Sequence, residues 1–158
     1  MKNYLAIAAI AFAASSCVQT VDIQTRFDPA EHAYINKQGS ALIVGQAFMR
    51  RNDGMVVYGA GSTVYLFPLT SYFQEVLARS GTDGVTTFKP NLDPRIANYA
   101  RVTQANGEGR FSFSNVPNGR YLVGSSVQWM AGNSPQGGSV SQSVTISNGQ
   151  SIEVILTR

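Results

Sequence analysis

Few side chains in this chain can do chemistry, and their spacing narrows what that chemistry is. There are one imidazole, one thiol and nine carboxylates. A catalytic triad or an imidazole-based metal site needs its histidine held by neighbours on a rigid scaffold. His32 falls instead in an N-terminal stretch beside Glu31, and adjacent helical positions point in different directions. It is expected on the surface of a short helix, outside any catalytic role. Most of the carboxylates (Asp22, Asp28, Asp53, Asp83, Asp93, Glu31, Glu75, Glu108 and Glu153) sit in turns or at helix starts, where caps and Asx-turns account for them. A glycosidase pair or a calcium loop needs clustered acids, and these are dispersed. Gly59-Ala60-Gly61 lacks the helix and lysine of a phosphate loop, and no serine lies in a nucleophile elbow. The chain therefore reads as a non-enzyme, with no catalytic residues, no metal site and no cofactor.

Aromatic side chains are the better candidates for recognition. Tyr72, Phe73, Phe88 and Tyr99 lie within thirty residues of one another, and Trp129, the only tryptophan, ends a strand that starts near Arg120. Gathered at one end of a sandwich, they can form a platform for a sugar or a partner protein. They can equally roof the sandwich and pack a short helix, which needs apolar cover to persist. The candidate binding surface is Tyr72, Arg95, Tyr99 and Trp129, expected together at one end.

The thiol has a different explanation. Cys17 is the only cysteine and follows Lys2, an apolar run from Tyr4 to Ala14 and the small residues Ser15 and Ser16. A charged start, a short apolar stretch and small residues make an export signal, and the run is too short to span a bilayer. The segment resembles a bacterial lipoprotein signal, although Ala14 stands where leucine is usual. The resemblance implies removal of residues 1–16, lipid attachment at Cys17, and two-signal membrane anchoring by diacylglyceryl and acyl (palmitate-type) chains. Val18 after the cysteine, in place of aspartate, points to the outer membrane facing the periplasm. Ordinary cleavage after Ala13 is the alternative.

The elements that must position the aromatic residues follow from pattern. Residues 17–38 read as a tether in which Asp28-Pro29-Ala30-Glu31 starts a short helix. From Gly39 the period becomes two. Ala41 to Arg50, Ser62 to Pro68, Arg110 to Ser114, Arg120 to Met130, Val140 to Ser147 and Ser151 to Leu156 read as strands, separated by Gly, Asn and Pro turns. Asn148-Gly149 between the last two marks a hairpin, and residues 132–138 read as a mobile loop. About residues 69–100 form an insertion. Its helix has Thr70 or Ser71 as N-cap, Gln74 or Glu75 closing the box, Phe73, Val76 and Leu77 on one face, and Gly81 at the stop. Asp93-Pro94 opens a shorter helix.

Together Gly45-Gln46-Ala47, Gly61 to Leu66, Asn106-Gly107-Glu108-Gly109-Arg110-Phe111-Ser112-Phe113 and Val116-Pro117-Asn118-Gly119-Arg120-Tyr121 resemble a carboxypeptidase regulatory-like domain. The resemblance spans 39–158 and implies an all-β fold, a seven-stranded antiparallel transthyretin-like β-sandwich, here with a short helical insertion. It also implies a non-catalytic structural or protein-interaction module, at an envelope membrane reached through the lipid anchor. A carbohydrate-binding module for cell-wall or surface polysaccharide is the alternative, favoured by a low-charge surface with charged residues at 13%. The arginines are scattered in sequence, which argues against nucleic acid.

Overall fold

The computed structural model describes residues 19–80, 86–89 and 91–158. The signal and Cys17, Gly81 and the turn at Asp83 lie outside the described residues. Two four-stranded sheets face each other. In the first, β2 (Ala41–Arg50) lies between β10 (Ser151–Leu156) on one edge and, on the other, β7 (Arg110–Val116) followed by β3 (Val56–Tyr58). The second has the order β6 (Arg101–Gln104), β4 (Thr63–Pro68), β8 (Gly119–Ala131), β9 (Ser134–Ile146). The chain is an all-β sandwich.

Alternation places the core. Ile43, Ala47 and Met49 on β2, Phe111 and Phe113 on β7, and Val154 and Leu156 on β10 face Val64, Leu66, Tyr121, Val123, Val127 and Val140 of the other sheet. Each fully buried aliphatic or aromatic side chain here contributes about 1.5–3 kcal/mol. At Ala47 one edge of β2 changes partner: its N–H donates to Gly109 and its carbonyl accepts from Gly59. A Cβ at Gly109 would lie 2.3 Å from the Ala47 carbonyl oxygen, and φ there is +73°, so only glycine suits this close approach.

The strands differ from the expected set in three ways. The described residues make ten strands, not seven, and β10 pairs with β2 in parallel. Asn148-Gly149 does not close a hairpin. Its two positive φ angles reverse the chain, but β9 is already paired with β8, and the apolar face of β10 packs beside β2 in the other sheet. Residues 132–138 are not a loop. They hold the two-residue turn Gly132-Asn133 and the start of β9, in a hairpin of two 13-residue strands. Pro135 is tolerated because β9 is an edge strand, where a missing N–H interrupts no ladder.

The stretch expected as a tether is bound to the body from Gln19 onward. β1 (Gln19–Asp22) pairs in parallel with β5 (Thr86–Lys89), and Ile35 is fully buried in the main core. Arg101 anchors it further, donating to the carbonyls of Ile35, Lys37, Ser114 and Asn115 at 2.6–3.2 Å. The expected short helix is α1 (Pro29–His32), capped by Asp28. The insertion carries α2 (Ser71–Arg79), where the Thr70 hydroxyl accepts from the Phe73 N–H at 3.2 Å. Tyr72, Phe73 and Val76 form its buried face, whereas Leu77 is only half-buried. Pro94–Tyr99 forms a 3-10 helix with Asp93 as cap. No helix among the described residues is long and apolar enough to cross a membrane.

Candidate functional site

Three of the four candidate contact residues gather at the insertion end, and the fourth does not. Tyr72 and Tyr99 surround Phe27 at ring distances of 5.5 and 5.9 Å, and the Arg95 guanidinium lies 4.9 Å above the same ring. Trp129 sits eight residues along β8 from Tyr121, whose end of the strand abuts the insertion. At strand rise this is about 26 Å away. The expectation of one shared platform is therefore wrong: β8, at 13 residues, is long enough to carry Trp129 away from the insertion end.

At the insertion end the recognition groups are already satisfied. Tyr72 is buried, and its hydroxyl accepts from the Asp93 N–H at 2.9 Å. Arg95 makes a bidentate pair with Asp93 at 2.8 and 2.9 Å. That guanidinium holds the Asp93 carboxyl below its usual range, and Asp93 in turn raises Arg95. His32, expected on the surface, is completely buried. It stacks on Phe27 at 4.3 Å, bonds the Asp28 carbonyl through Nδ1 at 2.8 Å and meets the Thr70 hydroxyl through Nε2 at 3.0 Å. The Asp28 carbonyl can only accept, so Nδ1 carries a proton to it, and the Thr70 hydroxyl, which accepts from Phe73, has its own proton to donate to Nε2. Both ring nitrogens are occupied, so the imidazole is a structural clamp. The burial was hidden in the sequence because its partners come from positions 27, 70 and 99.

A cavity of about 570 Å³ borders Phe27, Tyr72 and Arg95 at the insertion end, but its Asp93, Arg95 and Tyr72 polar groups are paired with one another or with backbone. At the opposite end the β2–β3 turn and the β8–β9 hairpin enclose a cleft of about 450 Å³. Arg50, Arg51, Asn52 and Asp53 line one side, Trp129, Gln136 and Gly137 the other, with Arg158 across the mouth. Trp129 is half-buried, with part of its indole on the core and part toward the cleft. Arg51 pairs with Asp53 at 2.7 Å. Arg158 donates to the Gly137 carbonyl at 3.0 Å. Sequence reasoning missed this grouping because Arg158 is over a hundred residues from Arg50 and Arg51; no local signal reports it.

A second aromatic surface lies on the outer face of the β4–β8–β9 sheet. Tyr65 and Phe67 stack at 5.7 Å, and Gly124 opposite Tyr65 leaves a hollow edged by Ser126, Ser139 and Ser141. Phe67 is taken up by Phe73 of α2 at 4.9 Å, so one exposed ring remains. Among the described residues, no group of three His, Cys, Asp or Glu side chains is placed to hold a metal ion.

Comparison with known proteins places this geometry beside a solved structure. No protein-family model matches the chain, and no curated protein does. A solved structure from Pseudomonas aeruginosa, described as a "putative carbohydrate binding protein", is 32% identical over 85% of this chain and 99% of its own, with a TM-score of 0.71.

Proposed function

We propose that this chain, which belongs to the same family as that Pseudomonas aeruginosa protein, is a non-catalytic carbohydrate-binding module of the cell envelope that holds sugar at the Trp129 cleft. The observation that carries this reading is the cleft itself, whose lining brings a half-buried indole together with the planar hydrogen-bonding residues Arg50, Asn52 and Gln136. An aromatic face takes the apolar face of a sugar ring, and convergent amide and guanidinium groups take its hydroxyls. The relative's description favours sugar over a protein partner. The strand phrases and the two facing sheets support assignment to the transthyretin-like, carboxypeptidase regulatory-like class. Export and lipidation at Cys17, with the module facing the periplasm from the outer membrane, complete the proposal; they rest on the N-terminal pattern alone.

A protein-interaction role is the second reading. It is favoured by exposed Leu42, Val44 and Ile155 on the outer face of the β10–β2 sheet. Fluorescence separates the two. Because Trp129 is the only tryptophan, its emission reports the cleft, and a cell-wall or capsular oligosaccharide that binds there quenches or shifts it saturably. If no glycan in a broad panel perturbs Trp129 while a partner is crosslinked through the Leu42–Ile155 face, the carbohydrate reading fails. For the anchor, the wild type takes up labelled fatty acid and partitions with membranes, whereas Cys17→Ser does neither.

A further inference from the structure

The charge around Trp129 says which sugars the cleft suits. Arg50 is exposed at the end of β2, and among the described residues its guanidinium has no hydrogen-bond or ion-pair partner. Arg158 is seated on a floor without side chains. Its Nη2 lies 3.0 Å from the Gly137 carbonyl, and a Cβ at Gly138 would lie 2.7 Å from that nitrogen. Gly137 has φ +102°, and a Cβ there would lie 2.0 Å from the Val127 carbonyl oxygen. This glycine pair is therefore what lets the hairpin present Arg158 beside the indole. Lining the cleft are three guanidinium groups and one carboxylate side chain, Asp53, which is engaged by Arg51. Elsewhere, Arg79, Arg95 and Arg110 each face a carboxylate within 3.2 Å and Arg101 is consumed by carbonyls, whereas the guanidinium groups of Arg26 and Arg120, like that of Arg50, have no partner among the described residues.

We infer that the Trp129 cleft selects acidic glycans, with a uronate ring lying on Trp129 and its carboxylate held by Arg50 and Arg158. The inference rests on the carbohydrate reading and names its substrate class. A guanidinium presents a planar fork that matches a carboxylate with two parallel hydrogen bonds, stronger than those to neutral hydroxyls. A nucleic acid also carries anions and flat rings. Its binding, however, needs a basic track and successive stacking platforms. On the face of β9 that continues from Gln136, the partner of Trp129, the next residues are Gly138, Val140 and Gln142, and none is basic.

The test titrates the full-length protein in detergent with three probes while following Trp129 emission. These are oligogalacturonate, the same oligomer with its carboxylates reduced to alcohols, and a single-stranded DNA of equal charge. The expected result is saturable binding of the acidic oligomer, at least about tenfold weaker binding of the reduced one, and weakening of the acidic oligomer by added salt. Arg50→Gln combined with Arg158→Gln weakens the acidic oligomer about tenfold more than it weakens the reduced one, in a protein that still unfolds cooperatively. Equal binding of both oligomers overturns the acidic-sugar inference and keeps carbohydrate binding. DNA binding as tightly as the acidic oligomer overturns sugar selectivity. Silence with every probe, repeated with a broad neutral panel, overturns the inference and the carbohydrate reading of the cleft together.

Discussion

Arg95 and Trp129 stood side by side as candidate contacts, yet the ends of the sandwich that carry them treat such groups in opposite ways. At the insertion end Arg95 lies on Phe27 and pairs with Asp93, Tyr72 bonds the backbone, and His32 is saturated on both nitrogens. There the aromatic rings are the small core of an added layer, with Ile23 and Val76 buried among them and Phe88 and Ile96 against it. At the hairpin end an indole faces solvent, and Arg50 has no partner among the described residues. Similar residues thus become structure or site according to whether a second layer covers them. Around Phe27 the rings pack against α2 and one another, whereas at the hairpin the neighbouring β2–β3 turn and Arg158 leave part of the Trp129 indole uncovered.

A crossed pair of substitutions is the largest test of this contrast. Tyr72→Ala empties a buried aromatic site and costs about 3–5 kcal/mol of stability, with Trp129 binding unchanged wherever the protein is still folded. Trp129→Ala, half-exposed, costs clearly less stability and abolishes glycan binding. Urea unfolding gives the first quantity and direct calorimetry with glycan the second. If Tyr72→Ala removes binding at a temperature where the fold persists, the two ends are coupled and the division is wrong.

Arg101 comes next in size. Its guanidinium ties the N-terminal segment (Ile35 and Lys37) to the end of β7 (Ser114 and Asn115), all through carbonyl oxygens. Charge-assisted bonds of this kind are individually worth about 1.5–3 kcal/mol but are not additive, so Arg101→Ala is expected to cost about 3 kcal/mol. Arg101→Lys recovers little of it, because an ammonium cannot span four carbonyls. A destabilisation below about 0.5 kcal/mol, the level of an ordinary surface change, would show that the segment is held by Ile35 burial alone.

The same division explains what could be read from residues in order. Local signals were legible wherever cause and effect are close in the chain. The caps at Asp28, Thr70 and Asp93 form as their residue types suggest, and Asn106 closes its turn by accepting from the N–H groups of Glu108 and Arg110. The alternation of Ile43, Ala47, Phe111, Phe113, Val154 and Leu156 marks the buried faces correctly. Partnership over distance was not legible. Asn148-Gly149 announces a reversal but cannot say that β10 will join β2, since that depends on which edge remains open. Gly137-Gly138 has the composition of a flexible loop, and only the Gln128–Gly137 and Val127–Gly138 pairings turn it into strand. The site suffers most from this limit, because the Arg50–Trp129–Arg158 grouping is assembled from three places in the chain.

The smallest effect separates the two ends by pH. Glu75 on α2 accepts from the Gln24 and Thr25 N–H groups at 3.0 and 2.7 Å and pairs with Arg79 at 3.0 Å. The Thr25 hydroxyl first, then the two N–H groups, hold its carboxyl at about 2, below the ordinary 4.5. A depressed folded-state value means that the charged form favours folding. The contribution is whole above about pH 4.5 and is lost as pH falls from there through about 2. Its size is modest because the bonds it makes lie at the protein surface beside the half-exposed Arg79, where water and salt screen charge. Glu75→Gln removes it, so wild type and variant differ by a constant amount at neutral pH and converge in acid. Amide exchange at Gln24 and Thr25 should rise in the wild type over that acid range and be already raised in Glu75→Gln at neutral pH. Trp129 emission should stay flat in both. Parallel acid curves for the two proteins would mean that another carboxylate sets the acid limit of this end. A shift in Trp129 emission that follows Glu75 would show that protonation beside α2 is felt across the full length of β8.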